Sequence, residues 1–376
     1  MRDTGTPSHG DARLIGKAFP TRRAVIGGTT ISAVVWALSY RPAPDPPWTP
    51  IRTSALWSPR DSAALVSHND RLWMFGGSAP NQGLDLGDSW STDDGIDWRK
   101  ETDRAAWTPS ASTMSAAFAG RMWRMGGFEK NENHFLPISE IWSSVDGRNW
   151  RLDTANPGWE ARGGGALVVH TERLWLLGGT RHPRNEGDQP TLSDVWSTEN
   201  GVNWTKVTLQ APWRPRAFHT TIAHNGRLWI MGGGYWSKKP AFYGDVWSSL
   251  DGLNWEEHSS QAVWPGRIWA TAASYNGLLW IMGGSTSRSR DGTNDIWYSA
   301  DGSNWYPYLT SKVWSPRVGH SMIVFKDQLL VLAGSDIDYF NDVWSLKISG
   351  DWAPARFTAR ALKSLSNLRR LLAGRP

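Results

Sequence analysis

No cysteine occurs in the 376 residues. Disulfides, thiolate nucleophiles and thiolate metal sites are therefore excluded, and no metal or other cofactor is expected. Long apolar runs are also missing. The best stretch, Ala24 to Leu38, is interrupted by glycine and falls short of the length a membrane-spanning helix needs. An acidic counterweight is absent at both ends: residues 1–40 carry +3 and residues 353–376 carry +6. With +5 for the whole chain, the body from 41 to 352 is left at −4. The basic character belongs to the ends, which argues against nucleic-acid binding by the folded body.

Tryptophan is what the chain has in excess, 27 in all, and most of it is periodic. One series runs Trp57, Trp107, Trp159, Trp213, Trp264, Trp314. A second runs Trp73, Trp123, Trp175, Trp229, Trp280, with Leu330 in sixth place. A third is Trp90, Trp142, Trp196, Trp247, Trp297, Trp344, and the fourth is Trp48, Trp98, Trp150, Trp204, Trp255, Trp305, Trp352. These series hold 24 of the 27, leaving Trp36, Trp236 and Trp269. A fixed period near fifty signals a repeat architecture.

Residues 213–255 show one unit. An alternating stretch, Ala217 to His224, leads through Asn225-Gly226 into the apolar run Leu228 to Met231, closed by Gly232-Gly233. After a variable loop, Asp245-Val246-Trp247-Ser248 and the Asp251-Gly252 turn lead to Asn254-Trp255. Short strands joined by hairpin turns make one antiparallel sheet. Double glycines recur at 76–77, 126–127, 178–179, 232–233 and 283–284, with Ala333-Gly334 last, so the count is six. The expected fold is all-β, a six-bladed β-propeller of four-stranded antiparallel blades. Trp48 precedes Trp57 by nine residues, the interval between Trp98 and Trp107. Residues near 47–56 thus read as a fourth strand lacking its first three, expected to complete the last blade, with Trp352 as a stub.

The unit resembles the kelch repeat, as also found in galactose oxidase and bacterial sialic-acid epimerases. The carriers are the Gly-Gly pairs, Arg216/His219 and Arg317/His320 at the start of the first strand, and the fourth-strand Trp. The resemblance implies an innermost first strand and ligand sites around the mouth of the central channel. Without cysteine, the galactose oxidase radical site has no counterpart. The segment Ser91-Thr92-Asp93-Asp94-Gly95-Ile96-Asp97-Trp98 resembles the Asp box of sialidase-type propellers, a structural turn. The other units place the acid one position later, as in Ser248 to Trp255.

Against this scaffold a few residues are candidates for function. His68, His170 and His224 hold a repeat position at the first hairpin and read as structural, whereas His219 and His320 replace Ala63, Thr113, Gly165 and Ala270. Two imidazoles on innermost strands suit acid–base chemistry or, alternatively, buried hydrogen-bonded positions. The arginines Arg60, Arg162, Arg216, Arg267 and Arg317, interrupted at Ser110, read either as a carboxylate-binding ring suited to sialic or uronic acids or as structural partners of Asp88, Glu140, Asp194, Asp245 and Asp295. Loops after the double glycines vary: Glu129–Pro137, Arg181–Pro190, Tyr235–Tyr243, Arg288–Thr293 and Asp336–Phe340. They are expected on one face. Tyr235-Trp236-Ser237-Lys238-Lys239 joins aromatic faces to cations, as a sugar-binding loop would, and Trp269 either joins that site or plugs the channel. The ligand-binding candidates are therefore Tyr235, Trp236, Lys238, Trp269, Arg216, Arg267 and Arg317.

The two ends are read separately. Thr21-Arg22-Arg23-Ala24-Val25-Ile26 resembles a twin-arginine export signal, so residues 1–39 are an export signal or an uncleaved anchor, and 40–47 a Pro-rich linker. The propeller spans 48–352. Residues 353–376 set leucines beside arginines as a basic amphipathic tail, for a membrane surface or partner, or as a solvated end. The expectation is a monomeric extracytoplasmic (periplasmic or secreted) binding or scaffold module, with an acidic glycan or protein ligand on the loop-bearing face. The alternative is a carbohydrate-active enzyme, sialate epimerase-like or glycosidase-like, using His219 and His320.

Overall fold

The computed structural model describes residues 45–79, 84–131, 134–182, 191–349 and 352. The export-signal and tail segments, most of the linker and parts of the loops at 129–137 and 181–190 lie outside the described residues. Six sheets are built alike, each with an innermost strand: Ala64–His68, Met114–Phe118, Ala166–His170, Thr220–His224, Thr271–Tyr275 and Ser321–Phe325. We number the blades 1 to 6 in this order. Each inner strand pairs antiparallel with the apolar strand that follows the hairpin, in blade 4 Thr220↔Met231 through His224↔Arg227. The third and fourth strands continue outward, so the protein is a six-bladed β-propeller.

Blade 6 closes the ring. Its fourth strand is Thr49–Arg52 from the start of the domain, paired with Val343–Leu346. Trp48 is fully buried and meets Trp314 edge-on at 4.5 Å, as Trp98 meets Trp57 in blade 1 at 6.0 Å and Trp305 meets Trp264 in blade 5 at 5.8 Å. The first and fourth tryptophan series are thus partners within each blade. Trp352 stands against Trp280, Tyr298 and Tyr308 as the expected stub.

The second series packs between blades. Gly302 in the blade 5 turn is at φ +74°, and a Cβ there would fall 2.1 Å from the Trp229 ring of blade 4. Only glycine lets that turn close over a neighbouring indole. In blade 1 the same turn covers Leu330 of blade 6, so the one non-aromatic member of the series sits at the ring's closing junction.

The turns themselves correct one detail of the sequence reading. In blade 4 the Asp251 carboxylate accepts the amides of Leu253 and Asn254, while the Ser249 hydroxyl accepts those of Asp251 and Gly252. In blade 1 that carboxylate is Asp94, accepting from Ile96 and Asp97, with Thr92 in the hydroxyl role. Asp93, the expected box acid, instead pairs with Arg71 and Arg99 at the surface. All these turns therefore share one register.

Candidate functional site

The arginine series is where the repeat is most densely wired. In blade 4, Arg216 Nη1 and Nη2 donate to the two Asp245 carboxylate oxygens at 2.8 and 2.6 Å. Nη1 also donates to the Gly232 carbonyl, and Nε to the Arg214 carbonyl. Trp247 Nε1 donates to the same Asp245, whose carboxyl is held below its usual range despite burial by the Arg216 hydrogen bonds and charge. Arg60–Asp88, Arg162–Asp194, Arg267–Asp295 and Arg317–Asp342 repeat the clip. Asp342, the sixth-blade acid, was missing from the sequence-derived set. All five guanidiniums are buried, those of Arg60, Arg216, Arg267 and Arg317 completely, and each is engaged bidentately by its own aspartate.

Blade 2 fills the gap differently. With Ser110 at the arginine position, Arg124 reaches in from the second strand, donates to the Thr108 carbonyl and Ser110 hydroxyl, and stacks 4.1 Å over Trp107. Desolvation pulls its pKa down to about 9, partly opposed by the charge of Glu140. A lone arginine inside Met122-Trp123-Arg124-Met125 was the sequence signal for this relocation.

Two residues beyond each clip arginine, or beyond Ser110 in blade 2, the chain turns toward the axis with positive φ: Ser62, Ser112, Gly164, Phe218, Trp269 and Gly319. Their backbones hand hydrogen bonds from blade to blade, as in Phe218 N to Gly164 O at 2.7 Å and Ser62 N to Gly319 O at 2.8 Å. Beneath this belt lies an axial pocket of about 150 Å³, lined by residues from all six blades. Because strands alternate in direction, the pocket mouth and the loops after the double glycines share one face, where Asp61 bridges to Ser78 and Ala217 to Gly234.

One side of this mouth is aromatic. Trp269 lies 4.9 Å from Phe218 and 5.2 Å from Trp236 between ring centroids. The two body tryptophans outside the periodic series therefore meet, although 33 positions separate them in the chain. Trp236 follows the short strand Gly234–Tyr235, which pairs with Ala241–Phe242. Arg290 from the blade 5 loop sits 5.9 Å over Trp236, and Lys238 and Lys239 are exposed beside it. Phe218 and Arg290 were not singled out from sequence. Phe218 was visible as a bulky exception at a position otherwise Ser, Gly or Trp; Arg290 had no signal beyond its loop.

Within the pocket, His219 and His320 are 7% and 4% exposed. Burial first, then the charge of Arg216 or Arg317, pushes both down to about 3, so each imidazole is neutral. His320 Nε2 bonds the Thr271 hydroxyl at 2.7 Å, and the ring occupies space that any side chain on Gly283 would take. His68, His170 and His224 end their inner strands at the opposite face. Among the described residues, no group of three or more His, Asp or Glu could hold a metal ion.

Radial four-stranded blades, glycine-closed second strands and axial first strands define a kelch-type propeller. Residues 143–334, just over half of the chain, match the family described as the KLHDC2/KLHL20/DRC7 Kelch-repeats domain, and the chain belongs to the kelch-repeat family. The solved structure of YjhT is similar, with a TM-score of 0.65 and 15% identity over 80% of this chain and 98% of that one, a likeness of fold. No curated protein matches the chain.

Proposed function

We propose that the protein is an extracytoplasmic binding module that holds an acidic glycan on its loop-bearing face. The supporting observation is the meeting of Trp236 and Trp269 at the channel mouth, with Phe218 behind them. The two indoles, tilted 48° to one another, offer a sugar ring flat apolar faces. Phe218 and Trp269 both hold φ +55°, a left-handed conformation that is costly for bulky residues and recurs at functional sites. With the clip arginines committed to aspartates, the acidic group falls to Arg290, Lys238 and Lys239, which border Trp236. The twin-arginine-like segment supports the location.

The test is a glycan array probed with the parent, Trp236→Ala and Arg290→Ala. Acidic glycans are expected to bind the parent, lose most of their signal with Trp236→Ala, and lose selectivity over neutral analogues with Arg290→Ala. Unchanged binding by Trp236→Ala would remove the loop site, leaving a protein ligand for this face.

A carbohydrate-active enzyme remains the second reading because of Asp61. This carboxylate on the same face accepts the Ser335 hydroxyl at 2.8 Å, and burial raises it to about 6, within reach of acid–base chemistry near neutrality. Turnover of an array hit that disappears in Asp61→Asn would replace the binding reading.

A further inference from the structure

A second and larger cavity, about 530 Å³, opens on the loop-bearing face away from the axis, at the junction of blades 4 and 5. All six blades line the axial pocket, whereas this groove draws only on the blade 4 loop, the connector Gln261–Gly266 and the start of the blade 5 loop. No inner strand borders it. Its walls are pinned by backbone. Ala262 N donates to the Gly244 carbonyl at 2.8 Å, and Arg267 N to the Tyr243 carbonyl at 3.0 Å. A Cβ on Gly266 would fall 2.3 Å from the Phe242 carbonyl oxygen, so only glycine lets connector and loop approach this closely. On the other side, Thr286 Oγ1 accepts the Ser289 amide and Ser289 Oγ donates to the Gly292 carbonyl, fixing the turn that carries Ser287 and Arg288.

The lining suits a sugar chain. Phe242 and the 70% exposed Val263 supply apolar contact, and Gln261, Ser287 and Arg288 supply exposed polar groups. Gln261 Nε2 reaches the Ala262 and Trp264 carbonyls only at 3.4 Å, so its amide is weakly held. An apolar cavity of ~150 Å³ admits benzene, so this one has room for about twenty non-hydrogen atoms, roughly two sugar residues.

Groove and rim are continuous. Phe242 packs with Trp236 and Trp269 against Ala217, Phe218 and Ile268. One loop carries both Arg290, over Trp236, and Arg288, in the groove. Charge also divides this face. The blade 4 and 5 loops hold Lys238, Lys239, Arg288 and Arg290 against Asp291, while the blade 1 and 6 loops hold Asp85, Asp336 and Asp338 and no basic residue. A chain of carboxylates leaving the rim is therefore drawn outward along the groove and repelled from the far side.

We propose that the groove holds the next residues of a linear oligosaccharide bearing a carboxylate on successive sugars, Arg288 taking the acid beyond the one at Arg290. It rests on the glycan reading for the ring on Trp236 and Trp269, and it specifies that ligand as an oligouronate instead of a glycan with a single terminal acid. A guanidinium grips each carboxylate in a directed, forked geometry, so affinity grows with chain length until the groove is filled.

The experiment is calorimetric titration of the full chain with galacturonate and mannuronate oligomers of one, two and four residues, beside maltotetraose and tetraglutamate. The tetramer of one uronate series is expected to bind at least tenfold tighter than its monomer, and tighter than both controls. Arg288→Ala should erase that gain, Arg288→Lys should restore part of it, and Trp236→Ala should weaken every length. Arg288 is exposed, so its replacement leaves the fold intact. Equal affinity for monomer and tetramer, or a gain that survives Arg288→Ala, overturns the groove. Tetraglutamate or maltotetraose binding as tightly as the tetramer also overturns it, the former by assigning the groove to an acidic peptide. Array hits confined to singly charged glycans and lost in Trp236→Ala would keep the rim reading and remove the groove. An empty array with no uronate bound at any length removes both.

Discussion

Repeat side chains in this protein act as sets, so single residues are understood by where they leave the set. Asp61 is such a departure: its counterparts are Ala111, Gly163, Ala217, Ile268 and Val318. Among the described residues it pairs with no cation; Ser335 donates to it, while Asp85 and Tyr339 lie on the same side. Burial raises its carboxyl from 3.8 to about 6, with Asp85 adding to the shift. Between those values the folded state binds the proton more tightly than the unfolded chain does. Its stabilising contribution is therefore full below pH 4 and lost as pH rises through 6. Asp61→Asn keeps the shape without the charge. Thermal unfolding should show it more stable than the parent at pH 7.5, with the difference vanishing near pH 4. A less stable variant at pH 7.5 would mean that the charged carboxylate is needed in the fold.

The strands and turns were legible in the sequence to an unusual degree, because each periodic residue solves the same contact in every blade. Trp57 and Trp98, Gly302 and Trp229, Arg216 and Asp245 are pairs that recur in register, so their spacing carried the geometry. Contacts made once escaped that logic. Arg124 fills the missing arginine's place only in blade 2, and Phe218 and Arg290 flank the tryptophans only where the blade 4 and blade 5 loops meet, which no single period encodes. Asp342 did lie on the period, two residues before Trp344 as Asp245 is before Trp247. Closure was legible for the same reason as the blades, and it makes a sharp prediction. The strand Thr49–Arg52 covers the edge of Val343–Leu346, and the buried Trp48 fills the space beside Trp314. Removing residues 1–53 should expose that edge and unfold the ring at much lower urea, whereas removing residues 1–44 should not. Within the full chain, Trp48→Ala should cost ~3–5 kcal/mol. Equal urea midpoints for the two truncations would show that blade 6 holds without its borrowed strand.

Across the whole molecule, the pH dependence of stability is set by neutral imidazoles and charged carboxylates, and both fail in acid. Burial holds His68, His219, His224, His258 and His320 below their usual value. The unfolded chain would protonate each near 6.5. As pH falls below that point the unfolded state binds more protons than the folded one, so stability declines, by ~1.4 kcal/mol per pH unit for each fully buried ring. Asp61 and Asp85 oppose the trend but are outnumbered. Below pH 4 a second loss begins. The clip acids Asp245 and Asp295 and the turn acids Asp94, Asp146, Asp251 and Asp301 all sit below 3.8, because guanidiniums or backbone amides favour their charged forms. Melting followed by tryptophan fluorescence should therefore show a plateau above pH 7, a decline from 6.5 to 4, and a steeper fall beneath. His219→Gln should flatten the middle segment by about one proton and leave the lowest segment unchanged. A melting temperature constant between pH 7 and 4.5 would mean that these imidazoles take up protons in the folded ring as readily as in the unfolded chain.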